Sequence, residues 1–118
     1  MSRSDFGFDP ATHQRLLQQA QAAGSSAQAW LLLEAAHVLG QFHLRPHWQT
    51  HVRMLALAWR SGDGGEAAGQ ILRLALVPLG HLSRRLPAGN PGRATVSAFA
   101  PLPVRPELAA LIARARRP

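Results

Sequence analysis

Apolar positions recur along most of the chain at helical spacing, interrupted by glycine and proline. The first two apolar segments predict helices over 10–23 and 26–40. Asp9 can cap the first helix, and Pro10 suits its first position because proline has no N–H to leave unpaired. Gly24 separates the two segments and favours a break there.

Two further helices are predicted over 46–61 and 64–77. The third helix carries an apolar stripe with intervals of four, three and four residues, formed by Trp48, Val52, Leu55 and Trp59. That spacing is typical of a helix face turned toward the core. The fourth helix is expected to end or bend at Pro78, because proline removes a backbone donor and clashes with the preceding turn.

The C-terminal third has a different pattern. Four prolines and two glycines fall within 87–105, which predicts an extended strap, and a short last helix is expected over 106–116. The strap carries four apolar anchors: Val96, Phe99, Leu102 and Val104. We therefore expect one all-α domain over 1–118, with two antiparallel helical hairpins packed in a tetratricopeptide-like manner under the strap.

The composition limits which metal ligands the chain can offer and which partners its charge favours. The chain has 118 residues, no cysteine and a formal net charge of +7. Without thiolates, a metal site would depend mainly on histidine and carboxylate side chains. The arginines are dispersed, so we expect an acidic protein partner or a homodimer rather than nucleic acid. No apolar run is long enough for a membrane span or a signal peptide, so a cytoplasmic location without membrane contact is expected.

Four of the six histidines fall in one stretch, "EAAHVLGQFHLRPHWQTH". Glu34 and His37 are three residues apart on the second helix, and His47 and His51 are four apart on the third. Each pair therefore shares a helix face. The connection between the helices is short, so both pairs lie at one end of a hairpin. The pattern predicts a site for Zn, Fe, Ni or Cu formed by these four residues, with His43 as an additional candidate ligand.

Roles that involve no metal are also open to these side chains. His37 could simply form a hydrogen bond to Glu34, and Glu34 could pair with an arginine such as Arg53 or Arg73. His13 and His81 are isolated in the sequence and are interpreted as surface residues. A zincin protease is disfavoured, since "HWQTH" lacks the glutamate of that signature.

A second motif, "GNPGR", could hold an anion. Its candidate binding groups are the backbone N–H groups of Gly89, Asn90 and Gly92 together with the guanidinium of Arg93. A tight turn that redirects the chain into the strap explains the same residues and is the favoured interpretation.

Four segments in succession resemble an uncharacterised bacterial family catalogued as domain of unknown function 3703. They are "EAAHVLGQ", "HWQTHVRML", "GQILRLALVPLG" and "RLPAGNPGRATVSAFAPLPV". The resemblance covers nearly the whole chain after residue 10. Within the family pattern we align Glu34, His37, His47 and His51 with Gly89, Asn90 and Gly92, whereas Pro91 departs from it. The family has no established function, so the resemblance implies no activity.

The sequence favours a metal-binding helical protein that serves in sequestration, sensing or delivery. No catalytic residue is assigned. One alternative is a tetratricopeptide-like module that binds an acidic partner or peptide. The other is a mononuclear non-haem iron enzyme, which would use two histidines and one carboxylate.

Overall fold

The computed structural model describes residues 7–83, 89–96 and 101–117. These residues form α-helices and no strand, so the all-α prediction is confirmed. The helices are α1 (Pro10–Gln21), α2 (Ser26–Gly40), α3 (Leu44–Arg60), α4 (Gly64–Ser83) and α5 (Pro106–Ala115). None of the described helices is both long and apolar enough to cross a membrane.

Side-chain caps fix where the first helices begin. The Asp9 carboxylate accepts a hydrogen bond from the Thr12 backbone N–H, and the Ser25 hydroxyl accepts one from the N–H of Gln28. Each cap satisfies a donor that has no partner within its own helix, which typically stabilises the helix by about 1 kcal/mol.

Helix α2 lies at the centre of the fold. It packs against α1, α3 and α5, and eleven of its fifteen residues are buried. Two of these, Glu34 and His37, are polar, and polar groups without partners are costly to bury. Helices α3 and α4 also pack extensively on each other. A tetratricopeptide-like arrangement of the two helix pairs stays a prediction.

The predicted core stripe of α3 is wrong. Trp48 and Val52 are more than 40% exposed and Trp59 is 77% exposed, whereas Leu55 is partly buried. The face turned inward instead carries His47, Thr50, His51, Met54, Leu57 and Ala58. Helix α3 has two apolar faces, and its inner face includes histidines and a threonine whose polar atoms are hydrogen-bonded inside the protein.

The inner face of α3 carries Met54, which is completely buried. Substitution of Met54 should therefore strongly lower the stability of the protein. Met54→Ala should lower the free energy of unfolding by about 2 to 5 kcal/mol, because it leaves a cavity in the core. Arg53→Ala, at the neighbouring exposed position, should change it by no more than about 0.5 kcal/mol. Urea unfolding of both variants measures this difference, and equal effects would contradict the observed orientation of α3.

Pro46 was expected to start a helix and Pro78 to end or bend one, but both lie inside helices. Helix α3 begins at Leu44, two residues earlier than predicted, because Pro46 falls in the first turn, where no N–H partner is required. Helix α4 continues past Pro78 to Ser83. Pro78 is exposed, so the carbonyl group left without its usual donor can be hydrated on the solvent side.

The strap is described only in part. Val104 packs against the core, whereas Leu102 is 38% exposed. Phe99 lies outside the described residues. The turn at residues 89–92 is largely buried: Asn90, Pro91 and Gly92 are all enclosed. It lies against α2 and α4, where it takes part in the site described next.

Candidate metal centre

Three histidines from two helices converge in the interior. His37 comes from α2, and His47 and His51 come from successive turns of α3. Each is at most 5% exposed, and one ring nitrogen of each lies within 4.8 Å of the corresponding nitrogen of the other two. The sequence pattern correctly predicted that these three side chains meet at one end of the α2–α3 pair.

The turn after α4 orients the His37 ring. The Nδ1–H of His37 donates to the backbone carbonyl oxygen of Asn90 at 2.6 Å. The turn approaches so closely that a Cβ atom on Gly92 would lie 2.5 Å from Cδ2 of His37. Gly92 also has a φ of +86°, which favours glycine. The turn thus fixes the plane of the ring and places the N–H on Nδ1.

An amide orients the His51 ring in a similar way. The Nε2 amide group of Gln70 donates to a carboxylate oxygen of Glu66 at 2.7 Å and to the carbonyl oxygen of Gly92 at 3.0 Å. Both amide hydrogens are therefore engaged, and Oε1 of Gln70 faces Nδ1 of His51 at 2.6 Å. Because an amide oxygen can only accept, His51 carries its N–H on Nδ1.

It follows that His37 and His51 direct lone pairs toward each other. A neutral imidazole has one N–H, and in both rings that group is used at Nδ1. The two Nε2 atoms nevertheless lie 3.1 Å apart, and Nε2 of His51 lies 3.2 Å from Nε2 of His47. A tetrahedral zinc ion with Zn–N bonds of about 2.0 to 2.1 Å would set its nitrogen ligands about 3.3 Å apart.

His47 has a histidine as its outer partner. Its Nδ1 lies 2.9 Å from Nε2 of His81. Donation from Nδ1 of His47 to His81 leaves the His47 Nε2 lone pair available to the cluster. His81 is half-buried and contacts His47, so it is not isolated in the fold as it is in the sequence. The continuation of α4 past Pro78 brings His81 beside α3.

Burial holds the cluster in its neutral form. Desolvation is the main cause that lowers the pKa of His37 well below its usual range, and neighbouring His51 and His47 lower it further. Desolvation likewise lowers the pKa of His47 to about 2 and that of His51 to about 4. Neutral imidazole is the form that binds metal ions.

These shifts predict acid sensitivity of the metal-free protein. The pKa of buried His13 is also lowered, to about 4, by desolvation. Below the ordinary histidine value of 6.5 the unfolded chain therefore binds more protons than the folded chain, so stability is lost as the pH falls. Each histidine contributes a slope of up to about 1.4 kcal/mol per pH unit.

Urea unfolding between pH 7.5 and pH 5 tests this expectation. The free energy of unfolding should be nearly constant above pH 7 and should fall progressively below about pH 6.5. The His13→Gln variant lacks one of the titrating histidines. Its free energy of unfolding should therefore change less steeply with pH, by up to about 1.4 kcal/mol per pH unit. A stability that is flat over this range would mean that the histidines are not buried in neutral form.

Glu34 is not part of the cluster. One carboxylate oxygen lies 3.0 Å from Nη1 of Arg105, and the other lies 3.4 Å from Nη1 of Arg93. Arg93 also stacks over the ring of Trp30 at 3.8 Å. Burial raises the pKa of Glu34, although both arginines act in the opposite direction. The iron-enzyme alternative required a carboxylate ligand, and Glu34 is instead paired with these arginines.

A family model for a protein of unknown function, DUF3703, matches residues 10–112. The chain belongs to the DUF3703 family. Comparisons with curated proteins and with solved structures gave no significant match. The matched range includes all three clustered histidines and the turn that orients His37, in agreement with the resemblance read from the sequence.

The two remaining histidines of the DUF3703 chain lie outside the cluster. His43 precedes α3 and stacks on the ring of Phe8 at a centroid distance of 4.1 Å. His13 is buried, so its interpretation as a surface residue is wrong. Its Nε2 lies 2.9 Å from the Thr50 hydroxyl, which itself donates to the carbonyl oxygen of Pro46.

The GNPGR turn forms hydrogen bonds with His37 of the cluster and with the side chains next to it. The Asn90 and Gly92 carbonyl oxygens accept from His37 and Gln70, and Arg93 binds both Glu34 and Glu66. Gly89 approaches the backbone of the strap, since a Cβ there would overlap the carbonyl group of Leu102. Anion binding by this turn stays a prediction, and the Arg93 guanidinium is committed to carboxylates.

Sequence reasoning missed Glu66 and Gln70. They are four residues apart on α4 and both are buried. Burial by itself would raise the pKa of Glu66, but hydrogen bonds from Ala94, Gln70 and Arg93 outweigh it, so the pKa lies below its usual range. The signal was present, because a glutamate and a glutamine at this spacing share one face of a mostly apolar helix.

Proposed function

We propose that this protein binds one divalent transition-metal ion through His37, His47 and His51. The proposal is carried by one observation: His37 and His51 direct two lone pairs at each other in the interior, with both N–H groups engaged elsewhere. An ion that accepts both lone pairs would satisfy them. Hydrogen bonds from the outer nitrogens to carbonyl oxygens are the usual support for histidine ligands.

The ligand set favours zinc-like ions. Three neutral imidazoles suit Zn(II), Ni(II), Cu(II) and Fe(II), whereas magnesium and calcium prefer oxygen. The spacing of the Nε2 atoms is close to that of tetrahedral zinc. Zn(II) is therefore the first ion to test.

Sequestration, sensing or delivery of the ion fits this site better than catalysis. The three ligands are buried, which limits the access of a substrate. Three protein ligands leave a fourth coordination position. A water molecule could occupy that position, so no fourth protein ligand is required.

Calorimetric titration of the untagged protein with Zn(II) tests the proposal. We expect one ion per chain at pH 7.5. Because burial lowers the pKa of all three ligands, that of His51 to about 4, protons should compete with the ion only as the pH approaches that value. Titrations with Ni(II), Cu(II) and anaerobic Fe(II) then rank the metals. Absence of saturable binding of all four would refute the proposal.

A second candidate function is the binding of an acidic peptide. A groove of about 230 Å³ lies between α1, α2 and α3, with apolar side chains such as Leu17 and Leu33 and with Arg53 and Arg60 among its lining. An extended peptide with carboxylates could contact both arginines. Such binding would weaken with added salt and would not require metal.

A further inference from the structure

The solvent-exposed surface of helix α4 is apolar. Among its twenty residues only Glu66 and Arg73 are charged, and they are 4% and 8% exposed. Its most exposed large side chain is Leu82, at 82%. The exposed residues between the first turn and Ser83 are Ala68, Ile71, Leu72, Ala75, Pro78, Leu79 and Leu82. A surface helix normally has its charged side chains facing water, and here they face the protein.

Helix α3, which packs against α4, also exposes apolar side chains. Its outward stripe contains four exposed apolar residues: Leu44, Trp48, Val52 and Trp59. Among the described helices, α4 packs only against α3. We call the exposed apolar residues of the two helices the α3–α4 face. Exposed apolar patches larger than a few hundred Å² are rare on monomers and mark interaction sites.

The area matches the requirement of a stable dimer. Eight large side chains of the face are between 41% and 82% exposed: Leu44, Trp48, Val52, Trp59, Ile71, Leu72, Leu79 and Leu82. Their exposed surface is on the order of the 800 Å² that each partner contributes to a standard interface. Tryptophan side chains are also enriched among the residues that dominate interface energies.

The charge distribution favours a second copy as the occupant. Because α4 presents no charge, this half of the α3–α4 face offers no group that would recognise an acidic partner or lipid headgroups. An apolar face is complementary to itself. The arginines of α3, such as Arg45 and Arg60, are exposed. The arginines of the two copies stay apart if the α3 stripe of one copy packs on the uncharged α4 of the other.

We propose that the α3–α4 face joins two copies of this chain in a symmetric dimer. Twofold symmetry gives both copies the same contact, α3 on α4 and α4 on α3, and closes the assembly at two copies because each copy uses the same face. The dimer does not depend on the metal centre, whose ligands point to the interior of each chain.

Sedimentation equilibrium of the full chain in EDTA tests the dimer. Chelation removes metal-bridged association. The wild-type protein should have twice its chain mass of 12.8 kDa. Leu82→Glu and Trp59→Glu should each weaken dimerisation by about a hundredfold or more, because the carboxylate would be buried without a partner. Both positions are exposed within one chain, so the circular dichroism spectrum should be unchanged.

Gln19→Glu is the matched control, since it adds the same charge at an exposed position of α1. This variant should remain a dimer. A wild-type protein that is monomeric at every concentration would overturn the proposal, and so would glutamate variants that dimerise normally. Flotation with vesicles of phosphatidylglycerol and phosphatidylcholine provides a further test. Monomers that bind these vesicles through Leu82 would assign the face to a membrane surface instead.

Discussion

Replacement of either His37 or His51 by alanine should abolish most of the stabilisation that Zn(II) gives to the wild-type protein. With free zinc a hundredfold above its dissociation constant, the wild type should gain about 2.7 kcal/mol. For a chain of this length that corresponds to a rise of roughly 10 °C in melting temperature. The two variants lie on different helices, so a shared loss would show that both side chains bind the same ion.

Two controls separate ligand loss from general damage. His13→Gln should lower the stability of the metal-free protein and retain the gain from zinc, because His13 bonds to Thr50 away from the cluster. Glu34→Gln should also retain the gain, because its carboxylate is paired with arginines. Thermal unfolding with and without Zn(II) measures each difference. Loss of the gain in Glu34→Gln would restore glutamate to the ligand set.

Gly92→Ala should damage both stability and the metal site. The φ of +86° costs a residue with a side chain about 1 to 2 kcal/mol. The added Cβ would also lie 2.5 Å from the His37 ring, and such overpacking typically costs about 1 to 3 kcal/mol. The ring must therefore move, and its Nε2 would leave the position shared with His51. We expect a total loss of about 2 to 5 kcal/mol together with most of the zinc affinity.

Gly62 offers a matched control for this substitution. Its φ is +71°, but nothing lies within 4 Å of a Cβ built at that position. Gly62→Ala should therefore lose only the backbone contribution of about 1 to 2 kcal/mol and should bind zinc normally. Chemical unfolding and zinc titration of both variants separate backbone strain from displacement of His37. Equal zinc affinity in the two variants would contradict the role assigned to the turn.

Local spacing was sufficient to predict part of the site. His47 and His51 share a helix face because they are four residues apart, and a short connection places His37 at the same end of the helix pair. The outer contacts could not be predicted in this way. Glu34 pairs with Arg93 and Arg105, which are 59 and 71 residues away in the chain, and no local pattern specifies such partners.

The face of α3 was misassigned because apolarity alone does not determine burial. Trp48 and Trp59 formed the more hydrophobic stripe, yet the buried face carries histidines. Hydrogen bonds to Gln70, and from Thr50 to Pro46, offset the cost of burying polar groups there. The same misassignment concealed the α3–α4 face, since the stripe that looked like core is the surface proposed to join two copies.

Nitrogen-15 NMR of the histidine side chains tests the central claim most directly. In the metal-free protein at pH 7.5, His37 and His51 should each carry their single N–H on Nδ1. Addition of one equivalent of Zn(II) should shift the Nε2 resonances of His37, His47 and His51 and leave those of His13 unchanged. An N–H on Nε2 of His37 or His51 before zinc is added, or Nε2 resonances that zinc does not shift, would contradict a metal site built from these three histidines.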